Sequence, residues 1–96
     1  MREAEVDLYL VKMIKAILPG AVTRRLRWVG RVGAPDRILI HRGWIVFVET
    51  KATTGRLTPP QIAEHARMRA AGAWVVVVDG EEGVDALIAS VAKRES

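Results

Sequence analysis

Two strand-like runs, residues 37–40 and 44–48, are separated by only three residues in the middle of the chain. The first is Arg-Ile-Leu-Ile and the second is Trp-Ile-Val-Phe-Val, and both are rich in the side chains that strands favour. A connection this short permits only an antiparallel hairpin, because a parallel pair needs a crossover of a dozen or more residues. The sequence therefore predicts a hairpin at the centre of the fold, and the other elements have to pack around it.

The segment before this hairpin has its own patterns. Residues 3–18 repeat apolar side chains at intervals of three or four, which predicts a helix that ends at Pro19-Gly20. Residues 22–29 alternate between apolar and polar side chains, which predicts a half-exposed strand.

After the hairpin, helical signals return. Thr58-Pro59-Pro60-Gln61 predicts a helix start, because Thr58 can cap the helix and Gln61 completes a capping box. This helix is expected to end near Ala71 and to bury Ile62, Ala66 and Ala70 on its inner side. Residues 73–78 are continuously apolar, which predicts a fully buried strand, and the apolar spacing in residues 84–91 indicates a last helix.

These segments follow the order αβββαβα along the chain. Three consecutive strands, followed by a helix that crosses over to a fourth strand, form a mixed sheet with helices packed on it. The sequence therefore predicts the α/β class, with a mixed sheet of about four strands flanked by helices.

Length and composition limit the class further. Ninety-six residues suffice for one domain, spanning residues 1–96, and not for two cores. The chain has no cysteine, which excludes a disulfide scaffold, a thiolate metal site and a cysteine nucleophile. No apolar run approaches the roughly 18 residues that cross a bilayer, and Glu3 and Glu5 stand where a secretory signal would be basic. We therefore expect a cytoplasmic protein with no membrane partner.

Positive charge is concentrated in the middle of the chain. Residues 21–56 contain eight basic and two acidic side chains, whereas the rest of the chain contains seven basic and nine acidic ones. Such a field attracts a polyanion, although a solvated arginine-rich surface would have the same composition. The two acids inside the basic stretch are Asp36 and Glu49.

The register of the hairpin decides whether these two acids meet. If Arg42-Gly43 alone forms the loop, Asp36 lies opposite Glu49 on one face, with the Cβ atoms roughly 4.5–5.5 Å apart. Lys51, two residues after Glu49, then points to the same face. A loop of odd length would turn Asp36 to the other face, and Arg-Gly is not among the strong two-residue turn pairs. The sequence leaves this choice open.

Two facing carboxylates repel each other unless one is protonated or a cation lies between them. Oxygen ligands without a neighbouring histidine or thiolate suit Mg²⁺ or Mn²⁺, and the Lys51 ammonium group could stabilise charge on a reacting phosphate. An ordinary cross-strand ion-pair cluster is the alternative interpretation of Asp36, Glu49 and Lys51.

The motifs around these residues resemble those of a nuclease family. Gly33-Ala34-Pro35-Asp36, followed by a strand and Glu49-Thr50-Lys51, resembles the PD…(D/E)xK signature of restriction-endonuclease-like nucleases. With an early helical glutamate, Glu3, and a later Gln61…His65 pair, the chain resembles the virus-type replication–repair nuclease (VRR-NUC) family. The shared elements extend in order from Glu3 to about Asp79.

The resemblance implies a restriction-endonuclease-like sheet and a Mg²⁺-dependent (or Mn²⁺-dependent) endodeoxyribonuclease. It implies that Asp36, Glu49 and the backbone carbonyl of Thr50 bind the metal and that Lys51 is catalytic. Glu3 would complete the cluster through water or a second metal, with Glu5 as the alternative.

The resemblance also implies residues around the metal. Gln61 and His65 are four residues apart on one helix face and are expected to face the site. Gln61 is counted among the catalytic residues, and His65 is expected to bind DNA phosphate or to support Lys51. The arginines expected to hold the DNA backbone are Arg24, Arg25, Arg27, Arg31 and Arg56.

Small free-standing members of the family resemble junction resolvases, which act as symmetric dimers. The resemblance therefore implies a homodimer that cuts branched DNA, with the four-way (Holliday) junction of DNA repair as the first candidate and no small-molecule substrate. Two other hypotheses stay open, namely a non-catalytic nucleic-acid-binding module and a metal-free subunit that docks an acidic protein.

Overall fold

The computed structural model describes residues 1–94, which form three helices and four strands in the predicted order αβββαβα. The four strands form one sheet in the order β1-β2-β3-β4, in which β1, β2 and β3 are antiparallel neighbours and β4 runs parallel to β3. The α/β class and the mixed sheet are confirmed. The elements are α1 (Glu3–Ile17), β1 (Val22–Arg25), β2 (Arg37–His41), β3 (Trp44–Thr50), α2 (Pro59–Ala70), β4 (Val75–Val78) and α3 (Glu81–Lys93).

The central hairpin has the two-residue loop that brings the acids together. Leu39 pairs with Val46, and His41 pairs with Trp44. The loop residues Arg42 and Gly43 both have positive φ, 50° and 85°, as a type I′ turn requires. The even-length loop is therefore the correct one of the two alternatives.

The two faces of the sheet are covered unequally. Helices α1 and α3 pack on one face and bury an apolar core that includes Leu10, Leu39, Val48 and Ile88. On the other face, α2 contacts β4, and much of the surface over β1, β2 and β3 stays accessible. We call this surface the open face; its apolar residues are Val22, Ile38, Ile40, Ile45 and Phe47.

Three expectations about these elements need correction. Strand β1 ends at Arg25 and not near residue 29, because the chain leaves the sheet after the Leu26 N–H donates to the Asp36 carbonyl at 2.9 Å. Strand β4 is an edge strand, so Val76 and Val77 are only half-buried. Helix α2 has the opposite orientation to the one expected and exposes the apolar positions Ile62, Ala66 and Ala70.

The inner side of α2 is polar instead. Its buried residues are Glu64 and His65. The predicted capping box is present, since the Gln61 N–H donates to the Thr58 hydroxyl at 3.3 Å and the Thr58 N–H donates to the Gln61 side-chain oxygen at 2.9 Å. None of the helices in residues 1–94 is both long enough and apolar enough to cross a membrane.

Candidate active site

Three carboxylates from three separate elements meet at one end of the sheet. Glu3, Asp36 and Glu49 each contribute an oxygen, and these oxygens lie within 4.8 Å of one another. Glu3 begins α1, Asp36 directly precedes β2, and Glu49 is the penultimate residue of β3. The cluster runs from an exposed Glu3 to a buried Glu49, so it opens to solvent on one side.

Asp36 is held by the last residue of β3. The Thr50 N–H donates to one carboxylate oxygen of Asp36 at 3.3 Å, and the Thr50 hydroxyl donates to the other at 3.0 Å. The N–H groups of Phe47 and Lys51 donate towards the β4 side of β3, so the backbone groups of Thr50, at the alternate position, point towards the Asp36 side. The Thr50 carbonyl therefore lies along the same edge as the acid cluster.

Glu3 reaches the cluster because α1 is fastened to β2 one helical turn later. The carboxylate of Asp7, on the same helix face as Glu3, accepts from Nε and Nη2 of the buried Arg37 at 2.8 and 2.9 Å. Glu5 instead accepts from the backbone N–H of Arg2 at 2.8 Å. Between the two candidate glutamates, the structure brings Glu3 to the other acids.

The ionised form of the Glu49 carboxylate is disfavoured by its surroundings. Burial, and then the charge of Asp36, raises the pKa of Glu49 to about 7; the Lys51 charge opposes this rise and the Glu3 charge adds to it. Its Oε1 atom makes no hydrogen bond within residues 1–94, and Nε2 of His65 lies 3.5 Å from it. Oxygen donors, an unpaired buried oxygen and mutual repulsion are the properties that a hard divalent cation satisfies. The residues present therefore fit such an ion.

His65 and Gln61, on one side of α2, have different surroundings. The His65 side chain is buried beside Glu49, so in this conformation it is placed to act on the acid cluster from inside the fold and not at the surface. Burial, followed by the charges of Arg69 and Lys51, lowers the pKa of His65 and favours a neutral imidazole. The side-chain oxygen of Gln61 serves the capping box of α2.

Two of the five predicted DNA-binding arginines are engaged in ion pairs. Arg31 pairs with Glu64 at 2.7 Å, and Arg25 approaches Asp7 at 3.4 Å. Arg24 donates to the neighbouring carbonyl of Thr23. Arg27 and Arg56 are exposed.

Gly33 fixes the loop that carries Asp36. Its φ is +89°, and a Cβ atom at this position would lie 2.5 Å from the Pro60 carbonyl oxygen. Only glycine allows this close approach of the loop to the start of α2. The indole N–H of Trp28 donates to the Pro35 carbonyl at 2.7 Å and holds the same loop from its other side.

Sequence reasoning missed three residues that support the site, namely Asp7, Arg37 and Glu64. A signal existed for two of them. Side chains alternate between the two faces along a strand, so if Asp36 lies on the face of Glu49, Arg37 lies on the opposite face, which the helices cover. A guanidinium group buried there needs an acid as its partner. Asp7 lies four residues after Glu3 and is the acid on that side of α1.

The repulsion in this cluster predicts a gain of stability when one charge is removed. Above pH 7, Glu49 is charged in the folded chain, whereas in the unfolded chain it is charged from about pH 4.5 upward. Between these pH values the folded state holds the extra proton, so the unfavourable contribution grows as pH rises and is fully present above pH 7. In EDTA at pH 8, we expect Glu49→Gln to raise stability by about 1 kcal/mol and Tm by about 4–8 °C.

Thermal unfolding of both proteins at pH 8 and pH 4.5 measures this effect. The difference in Tm between the variant and the wild type should disappear at pH 4.5, where Glu49 of the folded chain is protonated. An equal gain at both pH values would show that the carboxylate charge is not its cause.

This arrangement defines a class of protein. A hairpin that presents Asp36 just before one strand and Glu49-x-Lys51 at the end of the next, beside an α1 glutamate, resembles the PD…(D/E)xK arrangement of restriction-endonuclease-like nucleases.

Comparison with known proteins narrows the class to a family. A solved structure described as a VRR_NUC domain superimposes with a TM-score of 0.79 at 40% sequence identity, covering 91% of this chain and 94% of that one. A protein of Acyrthosiphon pisum secondary endosymbiont phage 1, "Putative nuclease p44", is 37% identical over 83 residues, which are 85% of this chain and 87% of that protein. No family model matches the chain. The chain belongs to the VRR-NUC family of nucleases.

Proposed function

We propose that this protein is a divalent-metal-dependent, structure-specific DNA endonuclease that cuts four-way junctions. The observation that carries the proposal is the convergence of Glu3, Asp36 and Glu49 within 4.8 Å, in a chain of a nuclease family. Lys51 follows Glu49 by two residues, and its charge acts on the Glu49 carboxylate.

Each residue has a distinct task in this proposal. Asp36, Glu49 and the Thr50 carbonyl would hold Mg²⁺ or Mn²⁺, and Glu3 would contribute through water or a second ion. When bound, the metal would lower the pKa of a water molecule and would place positive charge beside the phosphate. The two hydrogen bonds from Thr50 keep Asp36 oriented, and the Lys51 ammonium balances the charge that develops on the phosphate during in-line attack. The water oxygen bonds to phosphorus and gives up a proton to solvent, the P–O3′ bond breaks, and O3′ takes up a proton from solvent, which leaves a 5′-phosphate and a 3′-hydroxyl.

The decisive experiment compares an end-labelled four-way junction with a linear duplex of the same arm sequence. With Mg²⁺ or Mn²⁺, we expect paired, symmetric nicks in the junction and little cutting of the duplex, and EDTA should stop both. Equal cutting of junction and duplex would contradict structure specificity, and cutting in EDTA would contradict metal dependence.

A homodimer is part of the proposal, and the open face supports it. Both faces of β2 and β3 carry apolar residues, as is typical of strands buried on both sides. In one chain, however, Val22 and Ile45 of the open face stay 40% and 49% exposed. A second copy suits this surface, because a two-fold interface uses the same patch on both subunits and would bring the exposed apolar residues of one copy against those of the other. Two copies would also supply the two active sites that paired nicks need.

Ile45→Glu tests the dimer. A carboxylate placed in the open face should shift the molar mass from dimer to monomer, measured by light scattering, and should convert paired nicks into single nicks. Leu8→Glu is the matched control, because Leu8 on α1 is 70% exposed and lies outside the open face. A monomeric wild type, or monomers from both variants, would contradict this assignment.

A further inference from the structure

A buried carboxylate outside the acid cluster organises two exposed arginines. Oε1 of Glu64 accepts from Nη2 of Arg31 at 2.7 Å and from Nε of Arg67 at 3.0 Å. The Glu64 side chain is 8% exposed, whereas those of Arg31 and Arg67 are 49% and 63% exposed. The acid therefore lies inside the fold and holds two guanidinium groups side by side at the surface.

This trio carries a net positive charge that faces solvent. The hydrogen bonds from Arg31, and then those from Arg67, lower the pKa of Glu64, so the carboxylate stays ionised and keeps both arginines in place. A guanidinium has five N–H donors, and the contact with Glu64 occupies one on each arginine. Because both side chains are already ordered, they lose less conformational entropy when they bind a ligand than free arginines would.

The trio lies beside the acid cluster without belonging to it. Arg31 is in the loop that carries Asp36, two residues before the glycine that touches the start of α2. Glu64 directly precedes His65, whose Nε2 lies 3.5 Å from Oε1 of Glu49. A chain of phosphates that passes the acid cluster would therefore pass these two arginines.

We propose that Arg31 and Arg67, held by Glu64, form a binding site for one phosphodiester group of the DNA backbone, next to the group that is cut. We call this two-arginine binding site the phosphate seat. Planar guanidinium groups suit phosphate, because they can donate two parallel hydrogen bonds to its oxygens. The identity of the ligand rests on the proposed nuclease function. The new elements are Arg67, the positioning role of Glu64, and the sharing of a single phosphate by two arginines.

The test measures binding without cleavage. Anisotropy of a labelled four-way junction is recorded in Ca²⁺ over a series of NaCl concentrations, for the wild type, for Arg67→Ala and for a triple variant, Arg31→Ala, Glu64→Gln and Arg67→Ala. Glu64→Gln in the triple variant avoids a buried carboxylate without partners, and circular dichroism verifies that each variant is folded. Arg42→Gly is the control, because it removes one charge at the distant hairpin turn, where φ is 50° and glycine is favourable.

We expect Arg67→Ala to weaken binding about tenfold, the effect of one lost hydrogen bond to a charged group. The triple variant should reduce the slope of log K against log salt by about 0.9, the value for one phosphate. The control should keep the wild-type slope. A loss of about 1.8 in the triple variant would show two separate phosphates, and a slope equal to that of the control would show none. Either result overturns the shared seat.

These measurements separate the seat from the nuclease. If the wild type cuts the junction and the triple variant has the wild-type slope of log K against log salt, the seat is refuted and the nuclease function is not. A wild type that never cuts, with a triple variant that loses one phosphate's slope, refutes the nuclease and leaves the seat intact. Replacing NaCl by sodium phosphate at equal ionic strength distinguishes free phosphate from DNA as the ligand. If phosphate ions compete with the junction more strongly in the wild type than in the triple variant, while both proteins bind the junction equally well in NaCl, the two arginines bind free phosphate. That result would overturn the seat as a DNA site.

Discussion

Asp36→Asn should abolish junction cleavage while leaving the junction bound. Asp36 is one of two acids proposed as direct metal ligands, and asparagine keeps its shape while removing the charge that a divalent cation needs. We expect the cleavage rate to fall by more than the roughly 10²–10³-fold that loss of one transition-state contact costs. Binding in EDTA should be unchanged or tighter, because one negative charge near the phosphates is gone.

Single-turnover cleavage and anisotropy of the same labelled junction measure the two effects separately. Glu82→Gln is the control, since it removes an exposed acid in the first turn of α3 and should alter neither quantity. If the wild type binds the junction and never cuts it with Mg²⁺ or Mn²⁺, the non-catalytic binding module is the correct function. If Asp36→Asn cuts at the wild-type rate, the acid cluster is not the catalytic site.

The sequence predicts those residues of the site whose positions follow from the alternation of side chains along the two strands of the hairpin. Once the hairpin loop is Arg42-Gly43, the alternation of side chains places Asp36, Glu49 and Lys51 without further information. The short-range capping box of α2 was predictable for the same reason, since Thr58 and Gln61 are three residues apart. In both cases the interacting residues are neighbours in sequence or in a register that one turn determines.

The orientation of α2 could not be derived in this way. Apolar periodicity predicted that Ile62 would be buried, yet it is 56% exposed and Glu64 and His65 face inward. The partner that makes the buried Glu64 favourable is Arg31, 33 residues before it. Periodicity scores each side chain by its own hydropathy, whereas a buried acid becomes favourable only through a partner that a distant segment supplies.

The Asp7–Arg37 pair is a second contact of this kind, and it predicts the largest change in stability. Both side chains are largely buried, so Asp7→Asn leaves the Arg37 guanidinium inside the protein without its counter-charge. Breaking one side of a buried pair typically costs about 3–5 kcal/mol. For a domain of this size, the lower end of that range should reduce Tm by more than about 10 °C.

Thermal unfolding of Asp7→Asn and of Asp85→Asn provides the comparison. Asp85 is also an acid that joins two helices, but it accepts from Tyr9 at 2.7 Å in an exposed setting, so its loss should cost only about 1 kcal/mol. A double variant, Asp7→Asn with Arg37→Met, should recover much of the lost stability, because it removes the stranded charge. Equal Tm values for the two single variants, or no recovery in the double variant, would contradict a stabilising role for the buried pair.

The same variants test how α1 positions Glu3 at the acid cluster. Asp7 is one turn from Glu3 and fastens α1 to β2, so the pair determines where the exposed member of the acid cluster lies. The double variant restores packing and leaves α1 without this alignment. We therefore expect it to regain thermal stability in EDTA while the rise in Tm produced by Mn²⁺ stays smaller than in the wild type. A full Mn²⁺ response in the double variant would mean that packing alone positions Glu3.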